Sequence, residues 1–319
     1  MTTGVFFMRK FIGFAILVFF TLVLFISSLI NLWHIHYAFF LAFLLIVAFA
    51  GYRIFAHYQE VLDISKSYGF TSKPALYDFL ATFFGAVITF VLSVYLGLGA
   101  VLASGIIGML AALFLKPYAV PIFCGSFLGM SSPELLEPLV FILAALIAGG
   151  IFVLSKDVFN GFGGKLGTIS LSSVLVTSFI LSQTYLEAPI FDDFEMVLIV
   201  FFAMIGALLT FILNIRFQQG PVLASGFVGL IFGALLPVFF PEIGVTLAIV
   251  AFGASFVGMS NTKRMHEESL IIFAGLLFGL IYIFSAPYFG GAGGKLGTIA
   301  FASVLSVSGL RMGLRKIIT

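Results

Sequence analysis

The stretch Gly-Gly-Lys-Leu-Gly-Thr-Ile occupies residues 163–169 and occurs again unchanged at residues 293–299, an offset of 130. Because a fixed order of recurring segments is the signature of an internal repeat, the chain contains one unit written twice. Three further pairs of segments recur in the same order, and these are Gly-Ala-x-x-Thr-Phe-x-Leu at 85–92 and 206–213, Val-Leu-Ala-Ser-Gly at 101–105 and 222–226, and Ser-Phe-x-Gly-Met-Ser at 126–131 and 255–260.

The composition places the repeated unit in a lipid bilayer. Of the 319 residues, 62% are hydrophobic and 9% are charged, whereas soluble domains carry about a quarter charged residues. The mean hydropathy is +1.25. A net charge of +2 without a basic stripe argues against a nucleic-acid partner. One cysteine, Cys124, excludes an internal disulfide.

Apolar runs of helix-spanning length follow one another along the chain. A hydrocarbon core about 30 Å thick needs around 20 helical residues. The sequence therefore predicts an all-α polytopic membrane protein with about twelve transmembrane segments, although the length of 100–115, 118–132 and 245–260 leaves open whether they cross fully. The twelve predicted segments are 11–30, 37–56, 79–98, 100–115, 118–132, 138–155, 169–185, 196–215, 221–238, 245–260, 269–286 and 298–310.

The repeat divides these segments into three parts. Residues 1–78 are predicted to form two N-terminal transmembrane helices and a cytoplasmic amphipathic linker, for which a solvated linker is the alternative. Residues 79–190 form the first five-helix unit, and residues 191–319 form the second. Since five is an odd number, the second unit is expected to lie inverted in the membrane relative to the first, as in many secondary transporters.

Basic residues set the expected orientation. Lysine and arginine collect in cytoplasmic loops, and with both termini in the cytoplasm every basic residue except Lys295 falls on that side. This placement predicts a plasma (inner) membrane protein. The topology rule accounts for Lys165 but not for Lys295, its partner in the repeat.

The two Gly-Gly-Lys segments are the first candidate site. Glycine lets the backbone turn and expose N–H groups, the helix that follows presents its positive end, and lysine adds charge, so each segment could bind an anion. The alternative is a tight turn between helices in which lysine has a structural role. The candidate residues are Lys165, Gly164 and Thr168 in the first unit, and Lys295, Gly294 and Thr298 in the second.

The two Ser-Phe-x-Gly-Met-Ser segments are the second candidate. Such a segment could unwind near the membrane centre and offer backbone groups and hydroxyls to a solute. Close helix packing through small residues is the favoured alternative. The candidate residues are Ser126, Gly129 and Ser131 in the first unit, and Ser255, Gly258 and Ser260 in the second.

Two acidic residues, Glu137 and Glu267, also match at an offset of 130. Inversion would put Glu137 on the same face as Lys295 and Glu267 on the same face as Lys165. The two pairs could therefore act as alternating gates. The favoured alternative is that each carboxylate caps the helix that follows it.

These features predict a transport protein, either a secondary transporter or a facilitated permeation pathway, for a small anionic solute. The pathway would run between the two units. A passive channel for a small neutral solute and a non-transporting membrane subunit of a larger complex are the alternatives. The sequence has no catalytic or metal-ligand pattern, so we expect no enzyme activity, no cofactor and no metal. It permits a homo-oligomer without requiring one.

Overall fold

The computed structural model describes residues 2–35, 37–65, 75–187 and 189–318. Over these residues the chain is 79% helix without strands. The predicted all-helical class is thereby confirmed. The helices within the described ranges are α1 (Thr2–Ile35), α2 (Tyr37–Ser65), α3 (Ala75–Phe90), α4 (Ala100–Phe114), α5 (Ala119–Leu128), α6 (Pro138–Ser155), α7 (Lys165–Ile180), α8 (Asp193–Phe211), α9 (Pro221–Phe239), α10 (Gly244–Gly258), α11 (Glu268–Phe284) and α12 (Lys295–Ile318).

In the described part of the chain, seven helical stretches are long and apolar enough to cross a membrane, so the protein is membrane-embedded. The predicted number of twelve therefore corresponds to twelve helices, of which fewer have full spanning length. With ten residues α5 is about 15 Å long, too short to cross as a single helix. The seven stretches are Met8–Trp33, Tyr37–Leu62, Ala75–Tyr95, Pro138–Ser155, Asp193–Arg216, Pro221–Phe239 and Lys295–Lys316.

The expected amphipathic linker is described only in part. Residues 57–65 continue α2, and residues 66–74 lie outside the described ranges.

The helices of the two units begin, and switch from α-helix to π-helix, at matching positions. A π-helical turn extends α3 at Val91–Tyr95, and another extends α8 at Ile212–Arg216. The starts of α4 and α9 differ by the same 121 residues as these turns, and the starts of α7 and α12 differ by 130. The repeated sequence thus folds into the same order of elements twice.

Glycine lets α7 and α12 begin abruptly. The residue before α7 is Gly164, with a φ of 85°, and the residue before α12 is Gly294, with a φ of 89°. Side chains with a Cβ rarely adopt this left-handed conformation. This requirement, shared by both copies, explains the glycine that directly precedes each lysine.

Matched helices of the two units pack antiparallel. In the α4–α9 pair, Leu102 lies against Gly233, while Met109 lies against Gly226. In the α7–α12 pair, Gly164 lies against Phe301 at the start of α7, and Leu171 lies against Gly294 at the start of α12. Along both pairs the residue number rises on one helix as it falls on the other.

The first two helices pack beside the α7–α12 pair. Gly13 of α1 lies against the backbone of Leu154 and Ser155 at the end of α6, and Gly309 of α12 lies against the backbone of Phe49 in α2. Close contacts between small residues are a common basis for helix association in membranes. Through these contacts α1 is attached to α6, and α2 is attached to α12.

The crossing of α7 and α12 predicts a steric effect. A Cβ at Gly167 would overlap the backbone of Gly297, whereas a Cβ at Gly150 of α6 would meet nothing within 4 Å. We expect Gly167→Ala to lower the free energy of unfolding by roughly 1–3 kcal/mol through overpacking. Thermal unfolding in detergent measures this effect, with Gly150→Ala as the matched control. Equal midpoints for the two variants would contradict the observed crossing.

Candidate functional site

The ammonium group of Lys165 closes the turn that leads into α7. Its Nζ donates to the carbonyl oxygens of Lys156 at 2.8 Å and Val158 at 2.7 Å, and to Oδ1 of Asn160 at 2.8 Å. A lysine ammonium has three N–H donors, so this side chain has three acceptors for three donors. The Lys165 side chain is buried.

The ammonium group of Lys295 closes the turn that leads into α12 in the second unit. Its Nζ donates to the carbonyl oxygens of Ser285 at 2.9 Å, Ala286 at 3.4 Å and Tyr288 at 2.6 Å. Among the described contacts, neither lysine forms an ion pair. In each turn the lysine Nζ is thus surrounded by carbonyl oxygens of the same turn.

Each glycine turn is bound to a serine of the opposite unit. The N–H of Gly163 donates to Oγ of Ser260 at 3.1 Å, and the N–H of Gly293 donates to Oγ of Ser131 at 3.0 Å. The Ser131 hydroxyl itself donates to the carbonyl oxygen of Leu128 at 2.7 Å. Ser131 and Ser260 are therefore buried residues that join the two units.

Ser126 and Ser255 lie inside the helix bundle. Oγ of Ser126 lies 2.8 Å from Oγ of Ser104, and Oγ of Ser255 lies 2.6 Å from Oγ of Ser225. All four side chains are fully buried. These hydroxyl pairs attach α5 to α4 and α10 to α9.

The remaining predicted residues are also used in packing. Gly129 lies against the carbonyl oxygen of Ala86, and Gly258 lies against that of Ala207. Oγ1 of Thr298 donates to the carbonyl oxygen of Gly294 at 3.1 Å. Oγ1 of Thr168 is buried and has no hydrogen-bond partner within the described residues.

A cavity lies at each Gly-Gly-Lys turn. The Lys295 cavity has a volume of about 250 Å³ and is lined by the turn together with Ala100 and Phe127. The Lys165 cavity has a volume of about 260 Å³ and is lined by the matching turn together with Pro221 and Phe127. The sequence repeat relates Ala100 to Pro221, so equivalent positions of the two units line the two cavities.

Phenylalanine side chains stand between the two cavities. Phe127 lines both, and its ring centroid lies 4.2 Å from that of Phe256. Phe123 and Phe252 extend this aromatic cluster with centroid distances of 4.5 Å to Phe127 and 4.9 Å to Phe256. A solute passing from one cavity to the other would have to displace these rings.

Two helices begin at each cavity. The first residues of α4 and α12 line the Lys295 cavity, and the first residues of α7 and α9 line the Lys165 cavity. The residues preceding α4, α7 and α9 are glycines, without side-chain capping bonds among the described residues. Helix starts carry unpaired N–H groups and partial positive charge, so two helix starts contribute partial positive charge at each cavity. The lining of the Lys295 cavity also includes the acidic residue Glu187.

The sequence reasoning singled out no individual phenylalanine and did not select the starts of α4 and α9. Phe127 and Phe256 belong to the Ser-Phe-x-Gly-Met-Ser segments, in which only polar and small residues were selected. The identity of the aromatic position in both copies was an available signal. Gly99 and Gly220, which precede α4 and α9, were a second one.

The two glutamates lie apart from the lysines in this conformation. Glu137 and Glu267 are exposed and precede α6 and α11, but neither side chain makes a capping hydrogen bond within the described residues. Glu267 contacts His266 at 3.0 Å. Alternating pairing of glutamate with lysine stays a prediction for another conformation.

No protein family model matches the chain, and neither a curated protein nor a solved structure matches it.

The carbonyl contacts of the lysines predict a loss of stability when the ammonium group is removed. Lys165→Met or Lys295→Met leaves buried acceptors without a donor, which costs about 1–3 kcal/mol for each unpaired group. We expect either variant to unfold at a lower temperature than Lys263→Met, which removes an exposed charge. Thermal unfolding of the purified variants tests this, and three identical midpoints would show that the turns do not depend on lysine.

Proposed function

We propose that the protein carries a small anionic solute across a membrane, along a pathway between two inverted five-helix units. The observation that carries this proposal is the pair of matching cavities on either side of the Phe127–Phe256 contact. Two cavities that each contain a lysine turn and two helix starts, divided by an apolar barrier, would be suited to passing an anion from one side to the other if the rings move apart.

The antiparallel packing of matched helices supports inversion of the units. A pseudo-two-fold axis between α4 and α9, and between α7 and α12, would lie in the membrane plane, as in transporters built from inverted repeats. Basic loops favour a plasma membrane location with both termini and the Lys165 cavity on the cytoplasmic side. The Lys295 cavity would then face outward.

The overlap of α7 and α12 supports a deep position for both turns. Gly164 lies against Phe301 while Gly294 lies against Leu171. Seven helical residues separate Gly164 from Leu171, so the two turns lie about 10 Å apart along the helices. This is about a third of the thickness of the hydrocarbon core. Both turns would therefore lie within the bilayer.

Charge favours an anion as the solute. The N–H donors of each lysine are taken by carbonyl oxygens, so a charged lysine would act on a solute through its field. Unpaired N–H groups at the helix starts would make the direct contacts. Charged side chains buried at membrane depth commonly mark solute pathways.

The aromatic contact favours a gated pathway. In this conformation Phe127 touches Phe256, so transport requires these rings to separate. Rocking of one unit against the other would give a secondary transporter, and local ring movement would give a facilitated permeation pathway.

The carbonyl contacts of both lysines favour one alternative, a passive channel for a small neutral solute in which the lysines are structural. Liposomes containing the purified protein separate the proposals. Chloride, nitrate, formate and phosphate form the anion panel, and urea and glycerol form the neutral panel. Movement of an anion supports the proposal, whereas movement of neutral solutes alone overturns it. If neither panel moves, the proposal also fails and a non-transporting subunit becomes the better interpretation.

The aromatic barrier gives a second test. Phe127→Ala should raise the flux of the transported anion several-fold because it removes a ring from the barrier, and Phe127→Trp should lower it. Phe179→Ala is the matched control, since that side chain is 88% exposed. Equal flux through the Phe127 and Phe179 variants would place the pathway elsewhere.

A further inference from the structure

A cluster of charged side chains joins α2 to the second unit. The carboxylate of Glu60 accepts hydrogen bonds from Arg53 at 2.7 Å and from both terminal nitrogens of Arg264 at 2.9 and 3.2 Å. It also lies 2.9 Å from Nδ1 of His57. Arg53, His57 and Glu60 belong to α2, while Arg264 lies in the connection between α10 and α11. Glu60 therefore bridges two separate parts of the chain.

The same cluster contacts the turn that precedes Lys165. The guanidinium groups of Arg53 and Arg264 lie 5.0 and 4.6 Å from the ring centroid of Phe162, within the range of cation–π attraction. The N–H of Phe159 donates to Nε2 of His57 at 2.9 Å. Phe162 lines the Lys165 cavity. The bridge thus holds a wall of that cavity.

A second chain of contacts leads to the lysine itself. Nε of Arg264 donates to the carbonyl oxygen of Asn160 at 3.4 Å, and Oδ1 of Asn160 accepts from Nζ of Lys165 at 2.8 Å. Asn160 also lines the Lys165 cavity. Movement of Arg264 would consequently displace Asn160, which lines the cavity and accepts a hydrogen bond from Lys165.

The Lys295 cavity has different residues at the matching positions. The repeat relates Asn160 to Gly290, Phe162 to Ala292 and Arg264 to Leu135. None of these three residues can form the ionic bridge. The turn at the Lys295 cavity is held by backbone pairing between Leu186 and Gly290. The two cavities therefore share the Gly-Gly-Lys turn but differ in the lining residues at positions 160 and 162 and in the contacts that hold those residues.

We propose that α2 acts as a latch on the Lys165 cavity, with the Glu60–Arg264 bridge holding its mouth narrow. This inference rests on the proposed transport function and adds its regulation: opening on the Lys165 side requires the bridge to break, and opening on the Lys295 side does not. Any signal that moves α2 would control one side of the pathway alone.

Cysteine labelling tests the latch without a solute. Met259 lines the Lys165 cavity and Met130, its match in the repeat, lines the Lys295 cavity. Met259→Cys and Met130→Cys are made singly in a Cys124→Ser background, and the purified proteins in nanodiscs react with a charged thiol reagent. Arg264→Gln is then added to each. It removes the bridge but leaves Glu60 paired with Arg53 and His57.

A partly exposed ion pair contributes up to about 1 kcal/mol, which corresponds to a rate change of about fivefold. We expect Arg264→Gln to raise labelling of Met259→Cys by about that factor and to leave Met130→Cys unchanged. Arg216→Gln is the matched control, because Arg216 forms an exposed ion pair with Glu268. Glu60→Gln breaks the same bridge from its other end and decides the matter if Arg264→Gln does not fold.

Unchanged labelling of Met259→Cys, or an equal rise at both cysteines, would overturn the latch. A rise at Met259→Cys equal to that caused by Arg216→Gln would overturn it as well. The result does not depend on flux, so absence of anion movement in liposomes would refute the transport proposal while the labelling would still report on the latch.

Discussion

The structure depends on satisfying backbone hydrogen bonds where helices begin inside an apolar environment. A backbone N–H or C=O group without a partner costs several kcal/mol in hydrocarbon, so irregular backbone at membrane depth needs protein partners. At each Gly-Gly-Lys turn the lysine ammonium donates to acceptors of its own turn, and a serine hydroxyl of the opposite unit accepts from a glycine N–H. These partners satisfy polar groups of two turns that lie against the opposite unit.

The helix crossings follow from the same residues. Because Gly167 and Gly297 lack side chains, α7 and α12 cross with their backbones in contact. That contact brings both turns close to the aromatic cluster around Phe127. The serine bonds then fix each turn against the other unit, so folding of one unit completes the cavity of the other. Packing and the candidate site are thus consequences of a single arrangement.

The two copies of the unit agree at some positions and differ at others. Some residues at the cavities and the crossings are identical in both copies, as Phe127 and Phe256 or Gly167 and Gly297 are. Residues at the two mouths are not, since Arg264 stands where the other copy has Leu135. The N-terminal helices add to this difference, because α2 supplies Glu60 on one side only. Two similar cavities, of which only one is held by the Glu60–Arg264 bridge, are consistent with a pathway whose two ends are controlled separately.

The sequence by itself determined the helical membrane class, the repeated unit and the importance of the glycine–lysine turns, because hydropathy and identical segments are local properties of the chain. It left the role of Lys165 undecided, since a lysine's partners depend on where its own turn folds back. It also gave no reason to prefer Phe127 to Ser126, because burial against the other unit decides which of two neighbours faces a cavity. The ionic bridge from Glu60 to Arg264 joins residues 204 positions apart. Only the tertiary structure could show contacts of that kind, because they arise where distant segments meet in the folded chain.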